Sequence, residues 1–79
     1  MFYTYVLQSL SDSERFYVGH TNNLKLRIQE HNNGTCRHTN KYTPWKIRAY
    51  FAFDTKDKAE KFELYLKSHS GRNFQKKYL

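Results

Sequence analysis

Two runs rich in aromatic and β-branched residues, Tyr3-Thr4-Tyr5-Val6 and Phe16-Tyr17-Val18-Gly19, dominate the start of the chain, and their tyrosines at 5 and 17 stand twelve residues apart. Over residues 2–8, Tyr3, Tyr5 and Leu7 fall on one face while Phe2, Thr4 and Val6 fall on the other. This period-2 pattern predicts a strand with both faces at least half buried. Ser9 to Glu14 is polar and reads as a connection, and Arg15 to His20 repeats the strand character, so the pair predicts a β-hairpin. A register that pairs Tyr5 with Tyr17, symmetric about Ser11, would make the two phenols direct neighbours on one face.

A helix is expected next. Asn22 or Asn23 can cap it, Leu24 and Ile28 sit four apart on its apolar side, and Asn32-Asn33-Gly34 supplies a stop. At 100° per residue Arg27 and His31 fall at the edge of that stripe. Residues 35–44 form a polar, basic loop ending at Pro44, and a strand from about Trp45 to Phe53 follows. Asp54 or Thr55 opens a second helix whose buried face carries Ala59, Phe62 and Leu66, with Glu63 in the same arc. After an interruption from Ser68 to Gly71, the last eight residues suggest a short basic helix.

With 79 residues there is room for one domain, spanning residues 1–79, that buries only about 60% of the surface its unfolded chain exposes. Its core must draw on six Phe, seven Tyr and one Trp. The net charge of +7 favours polyanionic partners, with nucleic acid first among them. Cys36 has no partner in the chain, which argues for a reducing compartment and against a cysteine-built zinc site. The four histidines, His20, His31, His38 and His69, lack tight ligand spacing. No stretch approaches the roughly 20 apolar residues of a membrane span, so the expected location is cytoplasmic.

Burying an unpaired charge costs several kcal/mol, so polar groups at the margin of a buried face need a partner or a task. Arg27, His31 and Glu63 qualify. In the plainest alternative, Arg27 and Glu63 form a salt bridge that clips two helices across the sheet. A phenol with its ordinary pKa of about 10 is hardly ionised at neutral pH, so a tyrosine base needs positive charge nearby. Arg27, His20 and His31 are candidates to supply it. Gly19 reads as a strand end or as a place where backbone approaches a ligand closely, and His20 beside it can donate to a phosphate.

In this order the chain resembles the GIY-YIG endonuclease family, in its small stand-alone bacterial form. Tyr3-Thr4-Tyr5 stands where that family has Gly-Ile-Tyr, and Tyr17-Val18-Gly19 stands for its Tyr-Ile-Gly. The likeness continues through Thr21, Asn23-Leu24, Arg27, His31, Pro44-Trp45, Ala59, Glu63 and Lys67. It implies an α+β fold, a three-stranded antiparallel sheet flanked by helices in the order ββαβαα, and metal-dependent hydrolysis of DNA phosphodiesters, in repair or recombination. Tyr5 and Tyr17 would orient or deprotonate the attacking water with help from His31, which of the two is the base being left open. Arg27 would neutralise the phosphate, and Glu63 would hold one divalent ion, Mg²⁺ by preference. The family's asparagine about twelve residues beyond that glutamate falls here on Gln75, with Asn73 two residues earlier. The alternative function is a nucleic-acid-binding module of the same fold that does not cut. His20, Arg37, Lys41, Arg72, Asn73, Gln75, Lys76 and Lys77 are the expected nucleic-acid contacts.

Overall fold

The computed structural model describes residues 1–79. Strands β1 (Phe2–Ser9) and β2 (Phe16–Thr21) precede helix α1 (Leu24–Asn32) and a short 3₁₀ turn at Asn40–Tyr42. Strand β3 (Trp45–Phe53), helix α2 (Lys56–Lys67) and helix α3 (His69–Tyr78) complete the ββαβαα order. The strands form an antiparallel sheet in the order β2-β1-β3, so the hairpin's second strand is an edge.

The hairpin register differs from the expected one by two residues: Tyr5 pairs with Gly19, and Tyr17 pairs with Leu7. The reason lies in the turn. The Ser9 hydroxyl accepts from the N–H groups of Ser11 and Asp12, and the Ser9 N–H donates to the Arg15 carbonyl, which centres the connection one residue later. A two-residue slip preserves the faces. The phenols of Tyr5 and Tyr17 are therefore diagonal neighbours, with ring centroids 6.3 Å apart.

Local chemistry explains the helix boundaries. Asn23 and Thr55 each accept from the backbone N–H three residues on, capping α1 and α2. The Ser68 side chain does the same for Gly71 at the start of α3, which runs ten residues rather than the expected eight. Gly34, at φ 75°, takes the left-handed conformation that ends the turn after α1.

Each face of the sheet carries its own core. Tyr5, Leu7 and Trp45 pack with Leu24 and Ile28 of α1, while Val6, Val18 and Leu66 pack with Phe51, Phe62 and Phe74. Thus α1 covers one face, and α2 with α3 covers the other. The Thr4 hydroxyl, on the second face, donates to the Ala59 carbonyl at 2.7 Å. In β3 an extra residue, Arg48, lies between the partners of Val6 and Leu7. This bulge keeps Tyr50 opposite Tyr5 and Ile47 opposite Leu7, and it turns the Arg48 side chain towards the α2–α3 face, where it donates to Gln8.

Candidate active site

Two clusters of polar side chains meet the edge strand β2 from opposite faces. On the α1 face, Tyr5 is fully buried, and its hydroxyl lies 2.9 Å from His31 Nε2 and accepts from Arg27 Nε at 3.3 Å. His31 Nδ1 lies 2.8 Å from the Thr39 hydroxyl, which donates to the Cys36 carbonyl at 3.4 Å. Donor and acceptor capacity sets the direction of this chain. A guanidinium only donates and a carbonyl only accepts, so Tyr5 donates to Nε2, and His31 carries its proton on Nδ1 and donates it to Thr39. This arrangement suits a neutral imidazole.

Electrostatics agree. Burial, and then the charge of Arg27, lowers His31 to about 4. Burial pushes the Tyr5 phenol up to about 12, although the Arg27 bond and charge act against it. Burial and the neighbouring Arg27 therefore weigh against the expectation that His31 contributes positive charge near the tyrosines. Arg27 supplies positive charge at the Tyr5 hydroxyl. The Tyr5 bond, set against burial, raises its guanidinium further, and its Nη1 donates to Glu30 at 3.2 Å.

The neutral His31 has a measurable consequence. Its folded pKa lies below the ordinary value of about 6.5, so the unfolded chain binds the proton more tightly and stability falls as pH drops from about 6.5 towards 4. Urea unfolding is expected to show about 2 kcal/mol less stability from this group at pH 5 than at pH 7. In His31→Gln that part of the slope is missing; identical slopes in the two proteins would contradict the neutral assignment.

Tyr17 differs from Tyr5. Its ring lies 4.9 Å from the His31 ring, it is half-buried, and its hydroxyl has no hydrogen-bond partner within the chain. Gly19 fits neither expected reading alone. A Cβ there would stand 2.6 Å from the Tyr5 hydroxyl oxygen and 3.0 Å from the Tyr17 ring, so the glycine makes room for both phenols at the strand edge.

On the α2 face, His20 Nδ1 contacts Glu63 Oε1, and Lys67 Nζ donates to Oε2 at 2.5 Å. Burial raises the Glu63 carboxyl, but the hydrogen bonds from Lys67 and His20 outweigh it and hold the group below the usual carboxylate range. His20 Nε2 also lies 3.7 Å from Glu60. No salt bridge joins Arg27 to Glu63: the first pairs with Glu30 and the second with Lys67 and His20. The clip between the two helices, the plainest alternative to a functional site, is absent because they lie on opposite faces of the sheet.

The fit of a divalent ion can be judged from these donors. No three His, Cys, Asp or Glu side chains are arranged so as to hold a metal ion between them, which argues against a closed all-protein cage. One ionised carboxylate at a strand edge suits instead a hard ion of the Mg²⁺ kind, which keeps several waters and takes its other ligands from substrate. Lys67, which donates to that carboxylate, is exposed to solvent.

The remaining expected contacts do not form one patch. Arg37 and Lys41 are exposed in the loop after α1, whereas Arg72, Asn73 and Lys76 line a groove beside α3. Lys77 is exposed near the Tyr78 ring. Gln75 donates to the Leu66 carbonyl at 3.0 Å, which joins α3 to α2. Thr39 was invisible to sequence reasoning, since a threonine in a polar loop has no periodicity to mark it. Its backbone carbonyl also accepts from the Trp45 indole at 2.8 Å, so the loop is tied to the core through the residue that orients His31.

Comparison with known proteins places these residues in context. The family model described as the GIY-YIG catalytic domain matches residues 1–78. The structure-specific endonuclease subunit SLX1 homolog of Giardia intestinalis is 40% identical over 65 residues, which cover 77% of this chain and 18% of that protein. A UPF0213 protein of Clostridium perfringens is 38% identical over 85% of this chain and 71% of its own length. Another, from Bacillus licheniformis, is 36% identical over 90% and 72% respectively. The chain thus spans most of these two bacterial relatives but less than a fifth of the Giardia protein.

Proposed function

Since the chain belongs to the GIY-YIG catalytic domain family, we propose that it is an endonuclease hydrolysing DNA phosphodiester bonds with the help of one divalent ion, Mg²⁺ by preference. The observation that carries the reading is that two clusters flank the edge strand β2: on one face a charged Arg27 bonded to Tyr5 beside a tyrosine with an unpartnered hydroxyl, on the other an ionised Glu63 held by His20 and Lys67. Each answers one demand of the chemistry. Arg27 neutralises charge growing on the phosphate oxygens, and with two of its nitrogens held by Tyr5 and Glu30 it needs little reorganisation to do so.

Tyr17 orients the attacking water. Its free hydroxyl and half-exposed ring support this assignment, whereas the Tyr5 hydroxyl is buried and already committed to Arg27 and His31. Tyr5 and His31 then act as the rigid support of Arg27, with Thr39 holding the imidazole from behind. Glu63, with water and substrate oxygens, would hold the ion, which when bound neutralises charge on the phosphate and its leaving group. Lys67 and His20 keep the carboxylate ionised before that. Branched repair or recombination intermediates are the proposed substrates, in line with the name of the Giardia relative.

The test is plasmid nicking by the purified chain across a panel of divalent ions. Cleavage with Mg²⁺ that stops on adding EDTA is the expected result; cleavage that survives EDTA contradicts the role given to Glu63. Salt-sensitive DNA binding with no cleavage under any ion supports the binding-module alternative, for which the net charge of +7 speaks.

A further inference from the structure

A groove of about 810 Å³ runs between β2 and α3 on the α2 face, with Tyr17 but neither Arg27 nor Tyr5 in its lining. His69, Arg72, Asn73 and Lys76 line one wall at i, i+3, i+4 and i+7, the spacing of a single helix face. Opposite stand Arg15 and Arg48, and Lys67, whose Nζ donates to Glu63, also lines the groove. Glu14 is the only acidic residue along it. Arg72 and Lys76 are exposed and have no carboxylate partner, and the exposed Arg48 donates to Gln8 and to the main-chain oxygen of Leu79. Arg48 is present by virtue of the β3 bulge, which aims the guanidinium over the Phe16 ring at 5.8 Å. The lining is not only basic: Phe16, Val18, Leu66 and Leu79 give it an apolar component, and Phe16 is half exposed.

That combination discriminates between partners. A duplex offers phosphates and keeps its bases stacked inside, so it gains nothing from an apolar floor. An unpaired strand offers both a charged backbone and open base faces, and cationic grooves with aromatic surfaces suit it. We propose that the groove receives an unpaired nucleic-acid strand running from the Glu63 end along α3, so that the preferred substrate is a duplex bearing a single-stranded branch or tail. The inference takes from the nuclease reading only the identity of the partner as nucleic acid.

Fluorescence anisotropy without divalent ions tests it, comparing a blunt duplex with the same duplex carrying a tail of about ten nucleotides. The tailed duplex is expected to bind about tenfold tighter, with a log–log salt dependence steeper by about 2, from three further phosphates at about 0.7 each. Arg48→Ala, an exposed substitution whose fold is checked by circular dichroism, removes the gain and leaves blunt-duplex affinity unchanged. Equal affinity of the wild type for both duplexes overturns the proposal. So does competition by an oligoglutamate as effective as that by a single-stranded oligonucleotide. Absence of cleavage would bear on the nuclease reading alone, because this binding is measured without the ion.

Discussion

Arg27→Ala is expected to lower single-turnover nicking by about 10³-fold or more while the chain stays folded. The size follows from what the guanidinium does beside a histidine whose protonation burial disfavours. The fold survives because Arg27 is only half-buried and its bond to Tyr5 is long, at 3.3 Å, so its loss costs about 1 kcal/mol. Lysine at this position is expected to recover little: a point charge cannot bond Tyr5 and Glu30 and still present a planar fork to the phosphate. The check is nicking rate beside thermal unfolding, and a rate within tenfold of wild type would show that phosphate charge is neutralised elsewhere.

Gly71→Ala is expected to destabilise the chain by at least about 3 kcal/mol. A Cβ on Gly71 would stand 1.8 Å from the Tyr65 carbonyl oxygen and 2.5 Å from the Leu66 Cα. Both are backbone atoms at the end of α2, so no side-chain rotation relieves the clash and the α2–α3 corner must open. Opening it pulls Phe74 away from Phe51 and Phe62, whose rings lie 6.5 and 6.3 Å from it, and breaks the Gln75 bond to Leu66. With only 13 of 79 residues buried, the domain has little stability in reserve, typically about 4–12 kcal/mol at this size. Urea unfolding reads the loss directly, and a change below about 1 kcal/mol would mean that the corner tolerates a side chain.

The elements were legible because their signals are local. Alternation in β1, the caps at Asn23 and Thr55, and the i, i+3, i+7 spacing of Ala59, Phe62 and Leu66 each need only a few neighbouring residues. Tyr5, Tyr17, Arg27, His31 and Glu63 were legible as candidates for the same reason combined with the family resemblance. Their arrangement was not. The hairpin register depends on which backbone groups the Ser9 hydroxyl accepts, and a polar connection of Ser, Asp and Glu fits several turns equally well. The separation of α1 from α2 onto opposite faces is a property of the whole topology, and it removed the alternative of an ion pair between Arg27 and Glu63. The tautomer of His31 is set by Thr39, eight residues away in an irregular loop.

That separation makes the central claim demanding, since groups from two faces of one sheet must act on a single phosphate at the Gly19 edge. A double-mutant cycle with Arg27→Ala and Glu63→Gln, read as single-turnover nicking with Mg²⁺, tests it most directly. If the two side chains serve one transition state, each single variant falls close to background and the double variant falls no further. Losses that multiply in the double variant would contradict the account, because the two clusters would then be contributing independently.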